Sequence, residues 1–168
     1  MSISHSRQSF EQSVRAYSAD LYRYAHWLCR DRHLSEDIVQ EAFARAWKAW
    51  SELRDLAQTK AWLFTIVRNE CARSFSRQRP DCSSDELDES LLPAIPSFEA
   101  GLETAQLVEM LPRTYREPLL LQVLGGFSCA EIAGMLGTSE GAVMTRLTRA
   151  RQALRQQWTD AGRRRSVK

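Results

Sequence analysis

With 168 residues the chain has room for one medium domain or two small ones, and an apolar fraction of 43% is enough to pack them. No run suits a membrane span, the first residues lack the apolar core of a signal peptide, and Cys29, Cys71, Cys82 and Cys129 form no Cys-x-x-Cys pair. These absences point to a cytoplasmic protein, not itself a membrane protein, with no disulfide framework. The net charge of +2 hides a segregation. Residues 81–99 hold Asp81, Asp85, Glu86, Asp88, Glu89 and Glu99 with no base, so the remainder carries about +8. From Ser139 to Lys168, eight Lys or Arg stand against Glu140 and Asp160, a field suited to a polyanion.

Residues 8–30 are expected to form a long helix. Phe10, Val14, Tyr17, Leu21, Tyr24, Ala25 and Leu28 recur at three- and four-residue steps, and the aromatics among them read as core. His26, Cys29 and His33 have spacings a metal could use. The set would be three ligands lying partly beyond the helix end at Asp31-Arg32, so packing explains them better, and no metal or other cofactor is expected. Ser35 is a candidate cap for a helix over 36–50, with Glu36 and Asp37 in the first turn where the helix dipole favours acid. Val39, Ala42, Phe43, Ala46 and Trp50 form its buried stripe. Asp37, Glu41, Ala44 and Lys48 share the outer face, with Gln40 and Arg45 at its edges, and pattern alone makes that face a solvated one.

Residues 51–59 read as a loop, followed by a helix over 60–79 that Pro80 stops. Leu63, Phe64, Ile66, Val67, Cys71 and Phe75 occupy a broad apolar arc, while Thr65, Arg68, Asn69, Arg73 and Ser76 form a polar one. Trp62 stands at the margin. Bases beside an aromatic can hold a phosphate backbone and stack an unpaired base, although packing is the commoner use of a tryptophan.

Residues 80–98, with Pro80, Pro93, Pro96 and the acidic run, cannot bury a core. A helix over 99–111 carries Leu102, Ala105 and Leu107. A second, from about 113 to 124, presents Tyr115, Leu119, Leu120 and Val123 to the core, with Pro118 expected to kink or delay it and Gly125-Gly126 to end it. Ser128 and Glu131 make a capping box, Gly137 is placed to end that short helix, and Ser139 can cap the next. There Val143, Leu147, Ala150 and Leu154 share one face, with Thr145, Thr148, Arg149, Gln152 and Arg155 opposite. Such a helix suits the major groove of DNA; the plain alternative is an amphipathic hairpin with a solvated basic face.

Asp37-Ile-Val-Gln-Glu-Ala-Phe43 followed by Trp62-Leu-Phe-Thr-Ile-Val-Arg-Asn69 resembles region 2 of the extracytoplasmic-function (ECF) bacterial sigma factors. Leu111-Pro-Arg-Thr-Tyr-Arg-Glu-Pro-Leu-Leu-Leu121, Gly126-Phe-Ser-Cys-Ala-Glu-Ile-Ala133, Glu140-Gly-Ala-Val143 and Arg149-Ala-Arg151 resemble region 4. The resemblance covers residues 10–79 and 99–157, in the right order. It implies an all-α chain of two small helical domains. Region 2 would occupy 8–79 and region 4, with its helix-turn-helix, 99–160; a flexible acidic linker at 80–98 joins them and a basic tail follows at 161–168.

The resemblance further implies a protein that binds core RNA polymerase, on the clamp of its largest subunit and the flap of its second-largest, and directs it to promoter DNA. An anti-sigma factor, often membrane-bound in this family, would control it. Asp37, Gln40, Glu41, Ala44, Arg45 and Lys48 would then dock on the clamp, where a polar, acidic stripe can meet a basic coiled coil. Loop 51–59 with Trp62, Thr65, Arg68, Asn69 and Arg73 would engage the melted −10 strand. Thr145, Thr148, Arg149 and Gln152 would lie nearest the −35 bases, and Arg146, Arg151 and Arg155 would hold phosphates. Two positions depart from the family pattern: Met144 stands where similar proteins carry Lys or Arg, and Ala142 where they often carry Thr. Met144, counted with the −35 contacts, cannot make a bidentate bond to guanine, so one base preference would be altered or replaced by apolar contact with a thymine methyl group, unless its place at the side of the wheel keeps it from the bases.

No catalytic constellation is visible, and the three His all precede residue 34, so the chain does not read as an enzyme. A stand-alone helix-turn-helix regulator would leave residues 10–79 unexplained, and a helical adaptor would leave the basic helix 140–155 unexplained.

Overall fold

The three- and four-residue apolar steps become helices, and no strand occurs among the residues that the computed structural model describes: 3–53, 55–78 and 102–166. The chain divides into two units, Met1–Leu92 and Pro93–Lys168. What was expected of residues 80–98 lies outside the described residues.

In the first unit, helix α1 spans Ile3–Cys29, α2 Arg32–Ala49 and α3 Thr59–Gln78. All three pack pairwise. Leu21, Tyr24, Ala25 and Leu28 of α1 meet Ile38, Val39, Ala42 and Ala46 of α2 and Leu63, Phe64, Val67 and Cys71 of α3 in one core. Each large side chain buried there contributes about 1.5–3 kcal/mol. Tyr24 and Phe64 hold their rings 5.2 Å apart. Phe10, near the start of α1, packs against Trp50 at 5.0 Å and Phe43 at 6.4 Å.

The entry to α2 differs from expectation. Arg30 takes a left-handed φ of 55°, which ends α1 and reverses the chain within two residues. Asp31, not Ser35, is the cap: its backbone is extended and its carboxylate accepts the Leu34 N–H at 2.8 Å. The helix therefore starts at Arg32, and Ser35 is buried in its first turn with its hydroxyl donating to the Asp31 carbonyl. Asp and Ser are comparable caps, so the reversal at Arg30 chose between them. The expected loop at 51–59 is likewise more ordered, holding 3-10 turns at Trp50–Glu52 and Leu56–Gln58. Asp55 caps the second, accepting the Ala57 N–H at 2.9 Å.

The second unit contains α4 (Leu102–Glu109), α5 (Arg113–Gly125), α6 (Cys129–Leu136) and α7 (Glu140–Ser166). Leu111, Leu119, Leu120, Leu121, Phe127, Ile132, Val143, Leu147 and Ala150 form its core. Pro118 does not delay α5, which starts ahead of it at Arg113 and runs through it. Val123, expected in the core, is 69% exposed, and Leu121 is fully buried instead. The reason is that α5 is covered on several sides, burying every residue from Arg116 to Leu121, so its contacts do not follow a single stripe. The Arg116 guanidinium crosses to the end of α4 and donates to the carbonyls of Val108, Glu109 and Leu111 at 3.2, 2.6 and 2.7 Å, satisfying acceptors that a helix end leaves open. Beyond residue 160, α7 continues to Ser166 through most of the stretch read as a basic tail.

Candidate nucleic-acid interface

On α2 the buried stripe points Asp37, Gln40, Glu41, Ala44 and Lys48 to solvent, with Arg45 half-buried. Arg45 is drawn in by charge. Its Nε lies 2.8 Å from Glu41 and 2.9 Å from Glu70 of α3. The Glu70 side chain is only 7% exposed and also receives Arg73 Nη1 at 2.8 Å. A chain of charges, Glu41–Arg45–Glu70–Arg73, thus joins the outer face of α2 to the polar strip of α3. Sequence reasoning missed Glu70. The signal was there: four residues after Ile66 and three after Val67, it places a carboxylate inside the apolar arc, where burial demands a cation.

Along that strip Thr65 and Arg68 are half-buried, while Asn69 and Arg73 are exposed. The Thr65 hydroxyl donates to the Ala61 carbonyl at 2.9 Å. Trp62 is half-buried, its ring 6.1 Å from that of buried Trp50, so it leans on the core and keeps part of its surface accessible. Leu56, in the 3-10 turn before α3, is 56% exposed. His26, Cys29 and His33 do not converge. Cys29 Sγ faces Cys71 Sγ at 3.5 Å in the core, His26 stacks on Tyr22, and His33 is exposed.

In the second unit the local signals meet as expected. Ser128 Oγ accepts the Glu131 N–H at 3.3 Å, while the Glu131 carboxylate accepts the Ser128 N–H at 2.8 Å. Gly137 ends α6 at φ 63°, where a side chain would be strained, and Ser139 Oγ accepts the Ala142 N–H at 3.2 Å at the entry to α7. With Val143, Leu147 and Ala150 fully buried, α7 turns Met144, Thr145, Thr148, Arg149, Arg151, Gln152 and Arg155 outward. Arg146 is half-buried beside the seam, as is Leu154.

Two contacts across the unit were not legible. Arg149 Nη1 donates to the Tyr115 hydroxyl at 3.4 Å, and Arg151 donates to Gln122 Oε1. Tyr115 and Gln122 on α5 therefore hold two of the candidate DNA-binding arginines. No periodicity or motif links residues so far apart in sequence. The described side chains of α7 carry four Arg against one Glu, so the exposed face is a cationic one able to neutralise phosphates.

The model for sigma-70 region 2 matches residues 13–80, and that for sigma-70 region 4 matches residues 102–154. The sigma factor SigM of Bacillus subtilis is 30% identical over 153 residues, covering 88% of this chain and 93% of SigM. RfaY of Xanthomonas campestris pv. campestris, a probable RNA polymerase sigma factor, is 33% identical over 160 residues, covering 89% of this chain; the match takes in only 40% of RfaY, which is much the longer protein. Among solved structures, the sigma factor RpoE in complex with the anti-sigma factor NepR from Bartonella quintana matches 89% of this chain and 96% of RpoE, at 27% identity and a TM-score of 0.71. Two helical units in this order, with these matches along both, make the chain a member of the sigma-70 family and of its ECF class of RNA polymerase sigma factors.

Proposed function

We propose that this protein binds core RNA polymerase in the cytoplasm and directs it to a restricted set of promoters, supplying recognition while the polymerase supplies the chemistry. The observation that carries this reading is the pairing in one chain of a region 2 and a region 4, each with a solvent-facing polar helix surface. Asp37, Gln40, Glu41, Ala44, Arg45 and Lys48 of α2 dock on the clamp of the largest subunit. Trp62, Thr65, Arg68, Asn69 and Arg73, with the 3-10 turns at 50–58, hold the −10 strand once it is open. The exposed face of α7 reads the −35 element as duplex. Residues 8–79 and 99–160 work as the two recognition domains, and 80–98 tethers them. An anti-sigma factor that occupies the same faces keeps the protein inactive; RpoE, which this chain resembles, was solved in complex with an anti-sigma factor, NepR.

Run-off transcription with purified core polymerase tests the reading. The protein should confer initiation at promoters that core alone ignores, with 5′ ends matching those mapped after its overexpression. Identical transcripts with and without the protein would overturn it.

A further inference from the structure

The first two turns of α7 carry an unusual chemistry for a helix that reads bases. The described side chains exposed between Glu140 and Thr148 are those of Glu140, Met144, Thr145 and Thr148, with Gly141 contributing none. Glu140 offers only acceptors, and Met144, 56% exposed, offers a thioether and a methyl group. The Thr145 hydroxyl donates to the Gly141 carbonyl at 2.9 Å, and the Thr148 hydroxyl donates to the Met144 carbonyl at 2.9 Å. Each threonine proton is spent on the helix itself, leaving an oxygen that can accept and a methyl group that can pack. The cations stand elsewhere. Arg146 is half-buried near the seam, Arg149 follows Thr148 but reaches toward Tyr115, and Arg151 is held by Gln122.

In the major groove guanine shows only acceptors, N7 and O6, and needs a donor to be read. Thymine shows a methyl group, and adenine and cytosine show amino donors. We infer that Met144, with Thr145 and Thr148, reads a thymine of the −35 element through its 5-methyl group. This patch carries no donor for guanine. The inference rests on the assignment of α7 to the −35 element and adds the base class that its leading turns select. Met144 and Thr145 stand four and three residues before Thr148, the spacings of neighbours on a helix surface, so the thioether and the threonine methyl groups flank one exposed strip of α7. The two threonine oxygens stay available to the amino group of an adjoining adenine or cytosine.

The test uses the full-length protein in holoenzyme on a promoter mapped from its transcript 5′ end. Each thymine of the −35 element, on either strand, is replaced in turn by deoxyuridine, which removes only the 5-methyl group. At one or two positions the wild-type holoenzyme should bind about fourfold more weakly to the deoxyuridine duplex, the loss expected for one buried methyl group. At those positions Met144→Ala holoenzyme should bind the two duplexes equally. An element with no A·T pair, a wild-type protein indifferent to every methyl group, or a Met144→Ala protein that keeps full sensitivity at each position would overturn the inference. Failure of the sigma-factor reading looks different, because no promoter would then be initiated at all.

Discussion

Glu70 takes a carboxylate into the apolar arc of α3, and the arginines at 45 and 73 make that placement tolerable. Charge-assisted bonds to a buried carboxylate are stronger than neutral ones, but both guanidinium groups remain substantially in water, which limits their worth. Glu70→Gln should therefore destabilise the first unit by about 1–2 kcal/mol, read as a shift in the urea midpoint. An unchanged midpoint would show that the network contributes nothing net. Arg149 poses the functional counterpart. Exposed on α7 and leaning on Tyr115, it is the cation best placed beyond the leading turns, so Arg149→Ala should weaken −35 binding by about 1–3 kcal/mol while core polymerase binding stays intact. Equal occupancy of a mapped promoter by the two holoenzymes would refute that role. Both residues show how far single positions are legible. Arg149 stood out by its face on the wheel, whereas Tyr115 beneath it, and Arg45 over Glu70, are partners that only folding brought together.

At the level of elements, the helix-turn-helix is specified by local chemistry to an unusual degree. A capping box, two left-handed glycines and a serine cap all act within a few residues of where they stand in sequence. Two glycines of this motif separate conformational need from convenience. Gly137 sits at φ 63°, where a Cβ meets no neighbour but the backbone itself resists a side chain. Gly137→Ala should cost about 1–2 kcal/mol. Gly134, inside α6 with open space around it, has no such duty, and Gly134→Ala should stabilise the unit by about 0.5–1 kcal/mol. Thermal unfolding of the two variants should move in opposite directions; shifts of one sign would contradict this account. The start of α2 was less legible, because Asp31 and Ser35 are both competent caps and the left-handed Arg30 between the helices decided which was used.

For the whole molecule, the proposal makes two weak recognition units act as one reader. A tether holds the second unit at high effective concentration once the first has bound, which multiplies affinity without any new contact. Cutting the chain at a protease site placed within residues 80–98 should lower initiation by about 10²–10⁴-fold, although both units remain in solution. Activity that survives complete cleavage would mean that each unit finds the polymerase and promoter unaided.

The sequence by itself determined that the chain is helical, where most helices lie, which faces are apolar, and that it resembles the ECF sigma factors. Those properties follow from side-chain period and from caps that act over three or four residues, so they are written locally. Tertiary structure alone decided that Asp31 caps α2, that Leu121 rather than Val123 faces the core, and that Glu70 is shared between Arg45 and Arg73. It also decided that Arg116 closes α4 and that Tyr115 and Gln122 hold arginines of α7. The contacts of Arg45 with Glu70, Arg149 with Tyr115 and Arg151 with Gln122 join residues far apart in sequence, the cap at Asp31 was chosen by the chain reversal at Arg30, and burial of α5 on more than one side erases the single stripe from which a helix face is read.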